Sequence, residues 1–306
     1  MTVKDLFRHP AGKTAADAGF EMRAPASGRH CLSFGLQSAT GLPYDIFVSL
    51  PRHPPPPQGF PVLYLLDANA DFALVDQVME RLTRRPGATG VEPSILVGIG
   101  YPETESYNQE RRHFDFTAGP TRDAFYAETT FSFGGQDAFV AFLRNKLKPL
   151  IAARFPVRTD QETILGHSLG GYFVVELALT HPQLFSSYIA ISPSLWWDPD
   201  RIFAHALPHP AKPHKPVRLF LTAGGWEGDA APWQRQETPE RAEEHARLRR
   251  RRQMVRNIDR LAEHCQARHP DAIALRREMI DDEDHSSIYV ASLPKALRFA
   301  LPASDS

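Results

Sequence analysis

Gly166-His167-Ser168-Leu169-Gly170-Gly171 holds a serine between flanking glycines, with apolar chain on both sides. A serine hydroxyl is a poor nucleophile until a base takes its proton, and glycines let the backbone turn sharply beneath it. Thr163-Ile164-Leu165 reads as a short buried strand leading in, and residues 172–179 read as an apolar helix leading out. A G-x-S-x-G run in a strand–turn–helix setting is a nucleophile elbow, and the chemistry it points to is acyl transfer through Ser168. Elbows of this kind are followed along the chain by an acid and then a histidine. The base is therefore sought late, and His285 is the candidate, because it follows a predicted strand by a few residues and precedes the last helix. His245, His264 and His269 belong to a charged helix or its end and read as solvent-exposed, while His167 reads as packed against the sheet. The acid falls in Ala223-Gly224-Gly225-Trp226-Glu227-Gly228-Asp229; Glu227 is the first choice, Asp229 the alternative, and a Ser–His dyad the third option. Backbone N–H groups would hold the oxyanion, one from Leu169 and one from the loop carrying Ala68 and Asn69.

These residues need a sheet whose carboxyl edge gathers them. Segments 32–38 and 44–50 read as a hairpin at the sheet edge, turning at Gly41-Leu42-Pro43. Four consecutive prolines, 54–57, form a stiff surface spacer before the next strand. Strands at 62–66, 94–99, 188–191, 217–222 and 272–279 alternate with helical patterns at 72–82, 136–155, 239–265 and 288–299. Alternation of this kind predicts a mostly parallel central sheet with helices on both faces, and the elbow on such a sheet points to the α/β-hydrolase fold. Residues 1–28 read as a polar N-terminal segment and 29–303 as one hydrolase domain. The stretch 101–134 lacks periodicity and reads as an irregular lid.

Composition narrows the function. The chain has 306 residues, 42% of them hydrophobic and 23% charged, with a formal net charge of −1. That balance gives no electrostatic case for nucleic acid or an anionic membrane. The run Arg247-Leu248-Arg249-Arg250-Arg251-Arg252 shares its helix with Glu240, Glu243, Glu244, Asp259 and Glu263, and reads as a solvated, salt-bridged face. Two cysteines, no zinc-type spacing and no calcium loop predict no disulfide framework, no metal and no cofactor. No secretory pattern opens the chain and no apolar run is long enough to span a bilayer, so the expected location is cytoplasmic. The expected partner is a small-molecule ester; the oligomeric state is not legible.

Several segments join the elbow in a resemblance. Tyr64-Leu65-Leu66-Asp67-Ala68-Asn69 resembles the LLDGN loop of the esterase family that includes esterase D and the enterobactin-type esterases, with Ala68 where glycine is common. Arg111-Arg112-His113-Phe114-Asp115-Phe116-Thr117 is similar to its RRxxDFTP element, and Ser192-Pro193-Ser194-Leu195-Trp196-Trp197 to its SPSLWW segment. Val97-Gly98-Ile99-Gly100-Tyr101-Pro102 and the Asp284-His285 pair extend the likeness over residues 30–300. The resemblance implies carboxylic-ester hydrolysis, with a branch that opens catecholate trilactone siderophores and some members that work as dyads. Arg111 and Arg112 are then expected to face an anionic substrate, or to pair with Asp115. Of Trp196 and Trp197, one is expected to line the acyl pocket and the other to pack under the helix, while Tyr107 is expected to be a substrate-facing lid aromatic or a loop-packing residue. The alternatives are a small-acyl esterase or acyltransferase of the esterase D type, and a non-catalytic binding protein on a hydrolase scaffold.

Overall fold

The computed structural model describes residues 20–21, 31–103, 105–121, 123, 126, 130–204, 216–268 and 270–303. Apart from residues 20–21, the N-terminal segment 1–28 lies outside the described residues, as does His269. The chain gathers into two compact units, 1–119 with 130–164 and 301–306, and 120–129 with 165–300.

In the first unit β1 (Phe20–Glu21), β2 (Cys31–Gln37), β3 (Pro43–Ser49), β4 (Phe60–Leu65), β5 (Ile95–Gly100) and β6 (Val157–His167, through residue 164) run in the order β1-β2-β3-β5-β4-β6. The hairpin expected at 32–50 is present, with Leu32 opposite Val48 and Phe34 opposite Ile46, but it is not the edge. The two-residue β1 flanks β2, and β3 pairs antiparallel with β5. Every residue of β4 and β5 is buried and the two are parallel, as continuous apolar runs require. Helix α1 (Ala68–Thr83) packs on β3, β4 and β5, followed by the short α2 (Pro86–Thr89). The tract read as an irregular lid contains α3 (Gln109–Phe116), whose first turn is capped by the Asn108 side chain accepting from Arg111 N–H. The helix expected at 136–155 is α4 (Gln136–Phe142) and α5 (Lys148–Arg154) joined by a π-helical turn at Leu143–Leu147.

The second unit continues from the end of β6 through α6 (Leu169–Thr180), β7 (Ser187–Ile191), α7 (Pro199–Ala204), β8 (Val217–Gly224), α8 (Pro239–Arg252), α9 (Met254–Arg268), β9 (Ile273–Ile280) and α10 (Ser287–Ala300). Its strands are ordered β6-β7-β8-β9, with β7, β8 and β9 parallel. Helix α6 is apolar on all sides and buried from Leu169 to Leu179, packed on β7, β8 and α7. Helix α10 lies on β7, β8 and β9, where Ser292 donates to Thr222 at 3.1 Å. The single charged helix expected at 239–265 is two helices. Gln253 takes a left-handed conformation (φ 45°) and closes α8 through its N–H to the Arg249 carbonyl before α9 begins.

Candidate active site

The second unit brings the serine, a histidine and a carboxylate into one hydrogen-bonded line. Ser168 sits between β6 and α6 at φ 57° and ψ −116°, a strained conformation for a residue with a Cβ. Its neighbours permit that turn. A Cβ on Gly166 would overlap the Gly170 carbonyl, and one on Gly171 would press on Pro193 and Ile191. Strand β7 supports the elbow, since Ser168 N–H donates to the Ile191 carbonyl at 3.1 Å. The Ser168 carbonyl in turn accepts from Ser194 N–H at 2.9 Å.

His285 lies on the loop between β9 and α10, with its Nε2 2.9 Å from Ser168 Oγ and its Nδ1 2.8 Å from Glu227 Oε2. Two contacts set the loop's course. The Asp284 carboxylate caps α10 by accepting from the N–H groups of Ser286 and Ser287, both at 2.8 Å. Burial raises the Asp284 carboxyl, but the Ser287 and Ser286 N–H groups, with the Ser287 side chain and the neighbouring His285, together hold it below its ordinary value. The His285 carbonyl meets His167 Nε2 at 2.8 Å, so His167 braces the loop.

Of the two carboxylates considered, Glu227 reaches His285 and is buried, whereas the Asp229 side chain is 82% exposed. Glu227 ends the single 3₁₀ turn Gly225–Glu227 that follows β8, which folds its carboxylate back onto the strand end. There Oε1 accepts from Gly224 N–H at 2.8 Å. The other oxygen also receives the Ser192 hydroxyl at 2.5 Å. Gly224 is required here, because a Cβ would overlap the Glu283 carbonyl on the histidine loop. Gly224→Ala must push that loop away from β8. We expect kcat/KM on an aryl ester to fall by about a hundredfold, the usual cost of an ångström-scale misplacement. Unchanged kinetics would show that His285 does not depend on this approach.

Leu169 is the first residue of α6, so its N–H has no acceptor within the helix and is free to face an oxyanion. Trp197 is buried and Trp196 half-buried, and Tyr126 contacts both, stacked on Trp196 and edge-on to Trp197. Over the Trp196 ring stands the Arg252 guanidinium, 4.4 Å from the centroid. Arg252 and its neighbour Arg251, which pairs with Asp123 at 2.9 Å, come from the run read as a solvated face. His245 pairs with Glu237 at 2.9 Å, and His264 is half-buried beside Phe203 instead of solvent-exposed.

The remaining sequence-predicted residues belong to the first unit. Ala68 and Asn69 open α1, so their N–H groups also lack intrahelical acceptors. The Asn69 side chain is tied to the Tyr101 backbone at both its oxygen and its nitrogen. Arg112 is buried and makes a two-pronged contact with Asp67, at 3.1 and 3.0 Å. Arg111 is the arginine that pairs with Asp115 (3.4 Å), and it lies over the rings of Tyr44 and Tyr101. Burial lifts the Asp115 carboxyl to about 6, against the opposing pull of Arg111 and Tyr44. Both guanidinium groups are thus engaged with carboxylates of their own unit. Tyr107 is exposed, beneath the Arg112 guanidinium. No group of side chains able to hold a metal ion occurs among the described residues.

Ser192 and Ser194 lie in a segment singled out in the sequence but were not among its candidate site residues, and Arg252, read there as part of a solvated, salt-bridged face, instead lies over Trp196.

Comparison with known proteins finds similarity to esterases. Residues 37–290 match the family model described as "Putative esterase". The chain is 36% identical over 267 residues to the ferri-bacillibactin esterase BesA of Bacillus subtilis, covering 84% of each chain. It is 31% identical to the siderophore triacetylfusarinine C esterase of Aspergillus fumigatus, over 86% of this chain and 90% of that one. Among solved structures it is similar to the siderophore hydrolase EstB from Aspergillus nidulans, with a TM-score of 0.78 at 28% identity, covering 90% of this chain and 96% of that one.

Proposed function

We propose that this chain, which belongs to the "Putative esterase" family, opens siderophore esters through an acyl-enzyme on Ser168. It is a carboxylic-ester hydrolase with the α/β-hydrolase fold. The observation that carries the mechanism is the unbroken line from Ser168 Oγ through both nitrogens of His285 to Glu227. Ser168 attacks the ester carbonyl carbon while His285 Nε2 takes the hydroxyl proton, and Glu227 holds the imidazolium that results. Leu169 N–H meets the oxyanion of the tetrahedral adduct. His285 returns its proton to the departing alkoxide, leaving the acyl group on Ser168. Water then attacks that ester while His285 takes a water proton; as the second adduct collapses the acyl–Oγ bond breaks, His285 gives that proton to Ser168 Oγ, and the free acid leaves.

The substrate class rests on the relatives' names and on the cluster around Trp196. A half-buried indole under a guanidinium suits an anionic aromatic ligand, and a catecholate is both. The cluster is close to the chemistry in sequence and in space. Trp196 follows Ser194 by two residues, and Ser194 Oγ is 3.2 Å from Ser168 Oγ. Arg252→Ala is expected to raise KM for a ferric tri-catecholate lactone by about 3- to 30-fold, the range of a partly desolvated cation–π contact. KM for a neutral aryl ester should not move. An equal effect on both esters would remove Arg252 from substrate recognition.

A cytoplasmic site of action is part of the same proposal, supported by a composition with only two cysteines. Among the described residues no helix is long and apolar enough to cross a membrane. The deciding experiment incubates purified protein with a tri-catecholate lactone, in iron-free and ferric form, and with p-nitrophenyl acetate, and identifies products by mass spectrometry. Ring-opened acids from the lactone are expected. Hydrolysis of the aryl ester alone would overturn the siderophore assignment in favour of a small-acyl esterase.

A further inference from the structure

Ser192 is fully buried immediately after β7, and its hydroxyl touches both members of the acid–base pair. Its Oγ lies 2.5 Å from Glu227 Oε2 and 2.9 Å from His285 Nδ1. We propose that Ser192 is a positioning residue that locks Glu227 and His285 into a single geometry through one hydroxyl. This rests on the Ser168–His285–Glu227 reading given above.

Proton counting fixes the direction of each bond. An ionised carboxylate only accepts, so the Ser192 hydroxyl proton goes to Glu227 Oε2. The lone pairs of Oγ are then left facing His285 Nδ1. The Nδ1 proton meets two acceptors at nearly equal range, Glu227 Oε2 at 2.8 Å and Ser192 Oγ at 2.9 Å. A neutral imidazole held this way carries its proton on Nδ1 and offers the Nε2 lone pair to Ser168 Oγ.

The hydroxyl also fixes the carboxylate. Glutamate has a long side chain, and its last torsion is soft. Gly224 N–H pins Oε1 from the end of β8, and Ser192 pins Oε2 from the end of β7. Without the Ser192 hydroxyl, Oε2 is held only by His285 Nδ1, the group it has to position, and Gly224 N–H is the one anchor left on the carboxylate from outside the pair.

The backbone makes a structural explanation for this serine weaker. Ser192 has φ 42°, in the left-handed region where glycine costs least, while its N–H donates to the Thr222 carbonyl at 2.9 Å. Glycine would satisfy that backbone without strain. What serine adds at this position is the hydroxyl.

The test compares wild type with Ser192→Ala and Ser192→Gly. Steady-state hydrolysis of p-nitrophenyl acetate, the rate of labelling by a fluorophosphonate, the melting temperature and the downfield proton resonance of His285 Nδ1–H are measured on each. We expect kcat to fall about 10- to 100-fold in both variants, the scale of one hydrogen bond to a charged group, with KM within about twofold. Labelling should slow in parallel and the Nδ1 resonance should move, while Ser192→Gly melts close to wild type. Wild-type kcat in both variants would overturn the inference. So would loss of activity only in proportion to loss of folded protein, with the resonance unmoved. If the wild-type protein resists the probe at Ser168, the catalytic reading itself fails. If it is labelled and the variants are labelled equally fast, only the role of Ser192 fails.

Discussion

Ser168→Ala is expected to lower kcat on any ester by about 10⁴- to 10⁶-fold, the loss seen when the nucleophile of a serine–histidine–acid set is removed. The neighbouring hydroxyl does not offer a substitute. Ser194 Oγ stands 3.2 Å from Ser168 Oγ, but the base nitrogen His285 Nε2 points to Ser168. The variant should fold normally and still bind substrate, because its side chain makes no contact that the core depends on. A second substitution at the same position separates chemistry from stability. The strained dihedrals of Ser168 cost about 1–3 kcal/mol in a residue with a Cβ, and glycine relieves that. Ser168→Gly should therefore melt above wild type while being inactive. An inactive protein that melts lower would mean that the elbow is not strained as described.

The carboxylate gives the second large effect. Glu227→Gln keeps the shape but presents an amide to His285, so the imidazole no longer has an anion to hold its Nδ1 proton. The expected loss in kcat is about 10³- to 10⁴-fold, with KM little changed. Asp229→Ala should leave kcat within about twofold, since an exposed charge near Arg235 is screened by solvent. Near-full activity in both variants would leave a Ser–His dyad.

The pattern of these effects mirrors what could be read from residue order. The elbow was legible because the glycine spacing is imposed by local backbone geometry, which the chain carries within six residues. The placement of His285 beside Ser168 is legible from chain order and one loop. Glu227 is preferred to Asp229 in the sequence only by its place just after the glycines, since the course of the 3₁₀ turn that directs its carboxylate is not marked by residue type. The same boundary divides the fold. Apolar runs such as β4 and β5 announced themselves, whereas β1 is two residues long and carries no period, so the hairpin was placed at the edge. The end of α8 at Gln253 had no glycine or proline to mark it. Arg252 stacking on Trp196 and Ser192 bridging two segments are contacts between distant parts of the chain, and no local pattern encodes them.

The proposed chemistry depends on one oxygen, Ser168 Oγ, and mass mapping after treatment with a fluorophosphonate reads it directly. A single adduct is expected on the peptide containing Ser168, formed rapidly by wild type, slowly by Glu227→Gln and not at all by Ser168→Ala. A wild-type protein that hydrolyses esters yet carries no adduct, or carries it on another residue, would contradict that chemistry.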